Sequence, residues 1–147
     1  MIRLAQEKDL DKIVELNFLL AQETEDLTLD TNNLKLGVNE LLNNPLRGKY
    51  YVYEKDGDIV GQLLITYEWS DWRNGDFWWI QSVYVRQKYR NQGVFKELFE
   101  FVKREALENK EVCGLRLYVE KGNRVAKNVY QSLGMQHSIY DLYEWEK

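Results

Sequence analysis

Between Phe77 and Val119 the chain reads as strand, basic bend, helix and strand, and this succession constrains the fold more than any other feature. Phe77 to Val85 is rich in aromatic and β-branched residues. Phe95, Leu98, Phe99, Val102 and Ala106 then recur at helical spacing, and Leu115, Leu117 and Val119 alternate as in a further strand. A helix of about sixteen residues between two strands has the length of a crossover, which makes those strands parallel neighbours in one sheet.

The flanking sequence supplies the other elements. Ile2 to Leu4 predicts a short strand. A helix follows from about Asp9 to Gln22, with Leu10, Ile13, Val14, Phe18 and Ala21 on one face, and a second from about Thr31 to Asn43. Lys49 to Glu54 and Ile59 to Trp69 read as strands joined by Asp56-Gly57, a pair suited to the positive φ angles of a tight hairpin. In the second of these, Ile59, Gly61, Leu63, Ile65 and Tyr67 are expected on one face and Gln62, Thr66 and Glu68 on the other. A last helix over Asn123 to Leu133 stops at Gly134, and aromatics alternating from Ser138 to Glu146 predict one or two closing strands. The expected class is α/β: one domain over residues 1–147, with a mixed, mostly antiparallel sheet, a central parallel strand-helix-strand crossover and flanking helices.

Composition narrows the functions. With 20 Lys and Arg against 24 Asp and Glu the formal charge is −4, which speaks against binding nucleic acid, since backbone phosphates demand a basic face. One Cys forms no internal disulfide and one His makes no metal cluster, so a reducing, cytoplasmic setting is expected. No apolar run exceeds four residues, and Met1 to Gln6 leads straight into charged sequence, so neither a membrane span nor a secretory signal is expected. Cys113 reads as a small core residue and His137 as structural.

The bend itself is the chemical signal. A chain leaving a strand through Arg90-Asn91-Gln92-Gly93-Val94 into a long helix presents free N–H groups at the positive end of a helix dipole, which suits an anion. Arg86, Lys88, Arg90 and Lys96 put four basic side chains within eleven positions and no acid among them. A phosphate-bearing ligand fits; so does a solvated turn whose glycine merely permits positive φ. The loop is neither a Walker loop nor the three-glycine dinucleotide pattern.

Val83-Tyr84-Val85 ending a strand, Arg90-Asn91-Gln92-Gly93-Val94-Phe95 opening a helix, and Asn123, Ala126, Tyr130 and Leu133-Gly134-Met135 together resemble the GNAT family of N-acetyltransferases. The resemblance spans essentially the whole chain, is strongest from about Trp79 to Met135, and within the family is similar to spermidine/spermine-type enzymes that acetylate small amines. The family's pyrophosphate motif, Arg/Gln-x-x-Gly-x-Gly/Ala, falls on Arg90, Gly93 and Phe95, with Phe95 where a small residue is usual. The resemblance implies acetyl-CoA as co-substrate, its diphosphate held by Arg90, Asn91, Gln92, Gly93, Val94, Phe95 and Lys96, and its arm along Val83, Tyr84 and Val85. It also implies contact from Asn123, which reads equally as a helix cap, and from Tyr130 as proton donor to the leaving thiolate; on its apolar stripe alone, Tyr130 would read as a core aromatic.

An attacking alkyl amine must lose a proton, being about 0.1% neutral at pH 7. Where much of the family has a carboxylate before the loop, this chain has Gln81 and Ser82. Water held by Gln81 is the first expectation, with Glu68, Glu25 or Asp26 as carboxylates that could accept the proton. Glu23, Glu25, Asp26 and Asp30 place four acids in an eight-residue span, which suits a cationic substrate or simply a solvated loop. Four of the five Trp lie between Trp69 and Trp79; Trp79 is a candidate wall for the amine through cation–π attraction, with packing as the alternative. The combined reading is acetyl transfer from acetyl-CoA to a primary amine by direct attack, in a protein expected to form a homodimer. A non-catalytic acyl-CoA-binding or regulatory domain is the alternative, motivated by Gln81, Ser82 and Phe95.

Overall fold

The computed structural model describes residues 1–147. Its elements follow in the order β1 (Ile2–Leu4), α1 (Leu10–Glu25), α2 (Thr31–Asn43), β2 (Lys49–Lys55), β3 (Asp58–Ser70), β4 (Gly75–Val85), α3 (Val94–Glu108), β5 (Val112–Leu117) and α4 (Arg124–Ser132). The sheet runs β1-β2-β3-β4-β5; its first three pairings are antiparallel and β4 with β5 is parallel. The α/β class, the mixed sheet and the crossover helix are therefore as the sequence predicts. Asp56 and Gly57 take φ of 54° and 78°, the paired positive values the β2–β3 hairpin needs.

Two apolar clusters sandwich the sheet. Tyr51, Leu63, Ile65, Trp78 and Ile80 meet α3 through Val94, Leu98, Phe99 and Val102 on one face. Tyr50, Val52, Ile59, Leu64 and Tyr84 meet α1 and α2 through Ile13, Leu16 and Val38 on the other. The single face expected for Ile59 to Tyr67 is corrected here. The β2–β3 register slips between Tyr53 and Glu54, so that Val60 is an extra residue, and Ile59 falls into the cluster opposite Leu63 and Ile65.

Three further expectations change. The strand placed at Leu115 to Val119 runs over Val112–Leu117, because its ladder with β4 opens at Asp76 with Val112 and ends at Ile80 with Leu117; Leu115 and Leu117 do face the core. Cys113 is exposed rather than a core residue, since the β4–β5 register passes from Val112 to Gly114 and leaves Cys113 as an extra residue. The segment Ser138 to Glu146 forms no strand, and Tyr140, Tyr143 and Trp145 stand exposed.

Candidate active site

The bend between β4 and α3 is built from left-handed turns. Asn91 and Gly93 have φ of 59° and 83°, and this alternation tilts successive N–H groups toward one concavity. The amides of Gln92, Gly93, Val94, Phe95 and Lys96 donate to no acceptor within the protein, the first bond of the new turn being Glu97 N–H to Gly93 O at 2.9 Å. Five unpartnered N–H groups at a helix mouth fit a diphosphate. Phe95 does not obstruct them: its ring packs on Phe99 and Tyr130, at centroid distances of 6.2 and 5.8 Å.

The basic character of this loop is smaller than its sequence implies. Helix α1 brings Glu15 to Arg86 at 2.8 Å and Glu23 to Arg90 at 2.5 Å, contacts across about seventy residues that local sequence does not reveal. Arg90 also donates from Nε to Val85 O at 2.8 Å, so its guanidinium fastens the loop to α1 and β4, while Lys88 and Lys96 keep no carboxylate partner. Glu23 further accepts from the Tyr84 hydroxyl at 2.7 Å. Burial, with that carboxylate taking its proton in a hydrogen bond, pushes the Tyr84 phenol up to about 12. Arg90, together with Tyr84 and Gln87, holds Glu23 below the usual carboxylate range.

Beyond Ile80 and Leu117 the parallel strands part, and Gln81 to Val85 lose their partner on that side while still pairing with β3. Arg86 N–H turns to Val60 O on β3, so by alternation Val83 and Val85 direct their peptide groups into the opening. Ser82, at φ 48°, is the added residue where the β3–β4 register shifts between Gln62 and Leu64. That bulge keeps Trp79, Gln81 and Tyr84 on one face of the sheet. Tyr130 meets Phe95, in the first turn of α3, edge-on; burial raises its phenol above the ordinary value. Asn123 caps α4, its Oδ1 accepting from Ala126 N–H at 3.0 Å.

Away from α1 and α2 the same face is uncovered. Gln81 Nε2 donates to Thr66 Oγ1 at 2.5 Å, which leaves Gln81 Oε1 without a protein partner. Trp79 stacks on Tyr118 with centroids 4.4 Å apart and donates from Nε1 to Glu68 Oε1 at 3.2 Å. The same carboxylate oxygen takes Arg116 Nη1 at 2.5 Å, leaving Oε2 open. Arg116 and Tyr118 escaped the sequence reading, although Arg116 alternates with inward Leu115 and Leu117, which was the available signal. Of the four early acids, Glu23 is engaged by Arg90 and Asp30 caps α2 through the amides of Asn32 and Asn33, so only the carboxylates of Glu25 and Asp26 remain unpaired, Asp26 closing α1 with its backbone N–H on Ala21 O. No hydrogen bond or ion pair joins Glu25 or Asp26 to Gln81, Glu68 or Trp79.

Five free amides at the end of a strand whose outer edge has opened suit a long phosphate-bearing carrier laid along the sheet, the arrangement of an acyl-CoA-dependent transferase. Residues 9–135 match the model of the acetyltransferase (GNAT) family, and the chain belongs to that family. Its members are acetyltransferases with acetyl-CoA as the acetyl donor. Among solved structures, a possible acetyltransferase from Clostridium difficile 630 is 48% identical, covering all of this chain and 97% of that one with a TM-score of 0.95. The streptothricin acetyltransferase of Escherichia coli is 25% identical over 88% of this chain and 77% of its own length. A thialysine N-epsilon-acetyltransferase from Bos taurus is 32% identical, but over 53% of this chain and 45% of that protein. No helix is long and apolar enough to cross a membrane.

Proposed function

We propose that this acetyltransferase modifies the primary amine of a small cationic substrate by direct attack, with no covalent enzyme intermediate. The observation that supports the reading is that β4 leaves β5 after Ile80, with Gln81 and Val83 just beyond, and that Tyr130 packs edge-on against Phe95 in the first turn of α3. Bound acetyl-CoA supplies a thioester whose C–S bond breaks as the amine nitrogen bonds to its carbonyl carbon. The free amides from Gln92 to Lys96 hold the diphosphate, Val83 and Val85 present peptide groups to the arm, and Asn123 lies at the start of α4 beside it. Gln81 Oε1 positions a water that takes the proton from nitrogen, with Glu68 Oε2 as a carboxylate that could receive it. Tyr130 gives its proton to sulfur as the C–S bond breaks. Its raised pKa makes stepwise transfer to a free thiolate still more uphill, so donation runs in concert with cleavage.

Trp79 offers an aromatic wall to the amine, and Glu25 and Asp26 border the approach from α1. The named activities of the streptothricin and thialysine relatives support an amine acceptor, and the resemblance to spermidine/spermine-type enzymes adds polyamines to the candidates. Its setting in this reading is the cytoplasm, as a homodimer joined through the exposed tail and the unpaired outer edge of β5. The test is thiol release from acetyl-CoA with polyamines, basic amino acids and peptides. Acetylated amine is the expected product. Tight CoA binding without turnover on any of them would favour an acyl-CoA-binding domain instead.

A further inference from the structure

The uncovered face beyond Trp79 leads to a second polar centre. Along β4, Gln81, Trp79 and Phe77 point the same way, each about 7 Å from the next. Over the Phe77 ring lie two guanidinium groups, Arg116 at 3.6 Å and Arg73 at 5.0 Å. Together with Glu68, Asp71, Trp69 and Trp72 they line a cavity of about 200 Å³ beside the β3–β4 turn.

The donors in this cavity are incompletely used. Arg116 gives Nη1 to Glu68, while its Nε and Nη2 have no partner; the side chain of Arg73 forms no hydrogen bond or ion pair. Glu68 keeps Oε2 open, and Asp71 Oδ1 is occupied by Trp72 N–H. The centre thus offers guanidinium donors and two open carboxylate oxygens, Glu68 Oε2 and Asp71 Oδ2, between indoles that are 61% and 89% exposed. Equal numbers of cationic and anionic side chains do not make a general anion site; they suit a ligand that itself carries both signs.

We propose that this centre reads the head group of an α-amino acid whose distal amine is the one acetylated. Arg116 and Arg73 take the carboxylate, Asp71 Oδ2 takes the α-ammonium, and the chain of the acceptor runs about 7 Å to Trp79, from where the water held by Gln81 bridges the remaining distance of about 6 Å. The inference rests on the amine-acetyltransferase reading above and narrows its substrate class. Arg116 is then the specificity-determining residue that separates an amino acid from a diamine of the same length.

Lysine and 1,5-diaminopentane differ only by the carboxylate and make the direct comparison. The expected kcat/KM for lysine exceeds that for the diamine at least tenfold, with acetyl found on the side-chain nitrogen by mass spectrometry. Arg116→Gln should raise KM for lysine at least tenfold more than for the diamine. Arg73→Gln, on the exposed turn, should act in the same sense and serves where the first variant fails to fold. Equal kcat/KM for the two acceptors, or an equal loss on both in these variants, overturns the assignment. Should neither amine be acetylated, the catalytic reading fails separately, and lysine binding to the CoA-loaded protein decides the head-group site. Saturable change of tryptophan emission with lysine and not with diaminopentane supports it; none with lysine overturns it.

Discussion

Arg90 and Glu23, 67 positions apart in the chain, meet at 2.5 Å and tie the loop between β4 and α3 to the end of α1, where Glu25 and Asp26 lie. The carboxylate of Glu23 also receives Tyr84 and Gln87, both next to the opened strand edge. Glu23→Gln should lower stability by about 1 kcal/mol and raise KM for acetyl-CoA and amine together. Equal KM values for both substrates in variant and parent, from initial rates, would show that the two sides are independent.

The Tyr130 hydroxyl makes no hydrogen bond within the protein and the ring rests on Phe95, so Tyr130→Phe keeps the packing and removes only the hydroxyl. The expected result is a kcat at least tenfold lower with acetyl-CoA affinity nearly unchanged. Because burial raises the phenol, its protonated form persists to higher pH than an ordinary tyrosine's, and kcat should show no basic limb from this residue below about pH 10. An unchanged kcat removes Tyr130 from the reaction.

Gly93 holds φ at 83°, and a methyl there would meet nothing closer than Glu97 Oε1 at 3.9 Å. Gly93→Ala therefore acts through backbone strain, about 1 kcal/mol, by shifting the free amides. Calorimetry should find acetyl-CoA affinity reduced at least tenfold. Gly57→Ala, with φ of 78° in a distant hairpin, carries similar strain and should leave that affinity intact.

Asp9 is buried, accepts two guanidinium bonds from Arg3 at 2.7 and 3.0 Å and one from Gln6 N–H, and is held below the usual carboxylate range chiefly by Arg3. A depressed pKa contributes stability above the unfolded value of about 3.9, and that contribution disappears as pH falls through the folded value. Asp9→Asn should thus cost about 1–3 kcal/mol at pH 7, with a smaller difference at pH 3, in denaturant titrations at both.

None of the residues after Leu133 is buried, so removing Ser138 to Lys147 should leave the core folded. Sedimentation should show the full chain as a dimer and the truncated one as a monomer. A dimer that survives truncation places the interface elsewhere.

What the sequence made legible was periodic or local. Helical spacing located all four helices, alternation and Asp56-Gly57 located the β2–β3 hairpin, and the run from Arg90 to Phe95 marked the loop. Three register shifts were invisible, because an extra residue at Val60, Ser82 or Cys113 changes register without changing composition. The partners of Arg86 and Arg90 were equally hidden, since Glu15 and Glu23 arrive only when α1 packs against the sheet. Glu68 was readable as a polar residue facing the acceptor, but its sharing between Trp79 and Arg116 required the register of three strands.

The parting of β4 from β5 leaves a ladder that the polypeptide does not finish by itself. In the proposed reading the pantetheine arm supplies the missing rung, so donor occupancy and folding become one linked equilibrium, strengthening the fold by RT ln(1 + [L]/Kd), about 2.7 kcal/mol at a hundredfold excess over Kd. The melting temperature of this enzyme then rises and falls with acetyl-CoA concentration, and starvation for the donor leaves the chain more open to proteolysis.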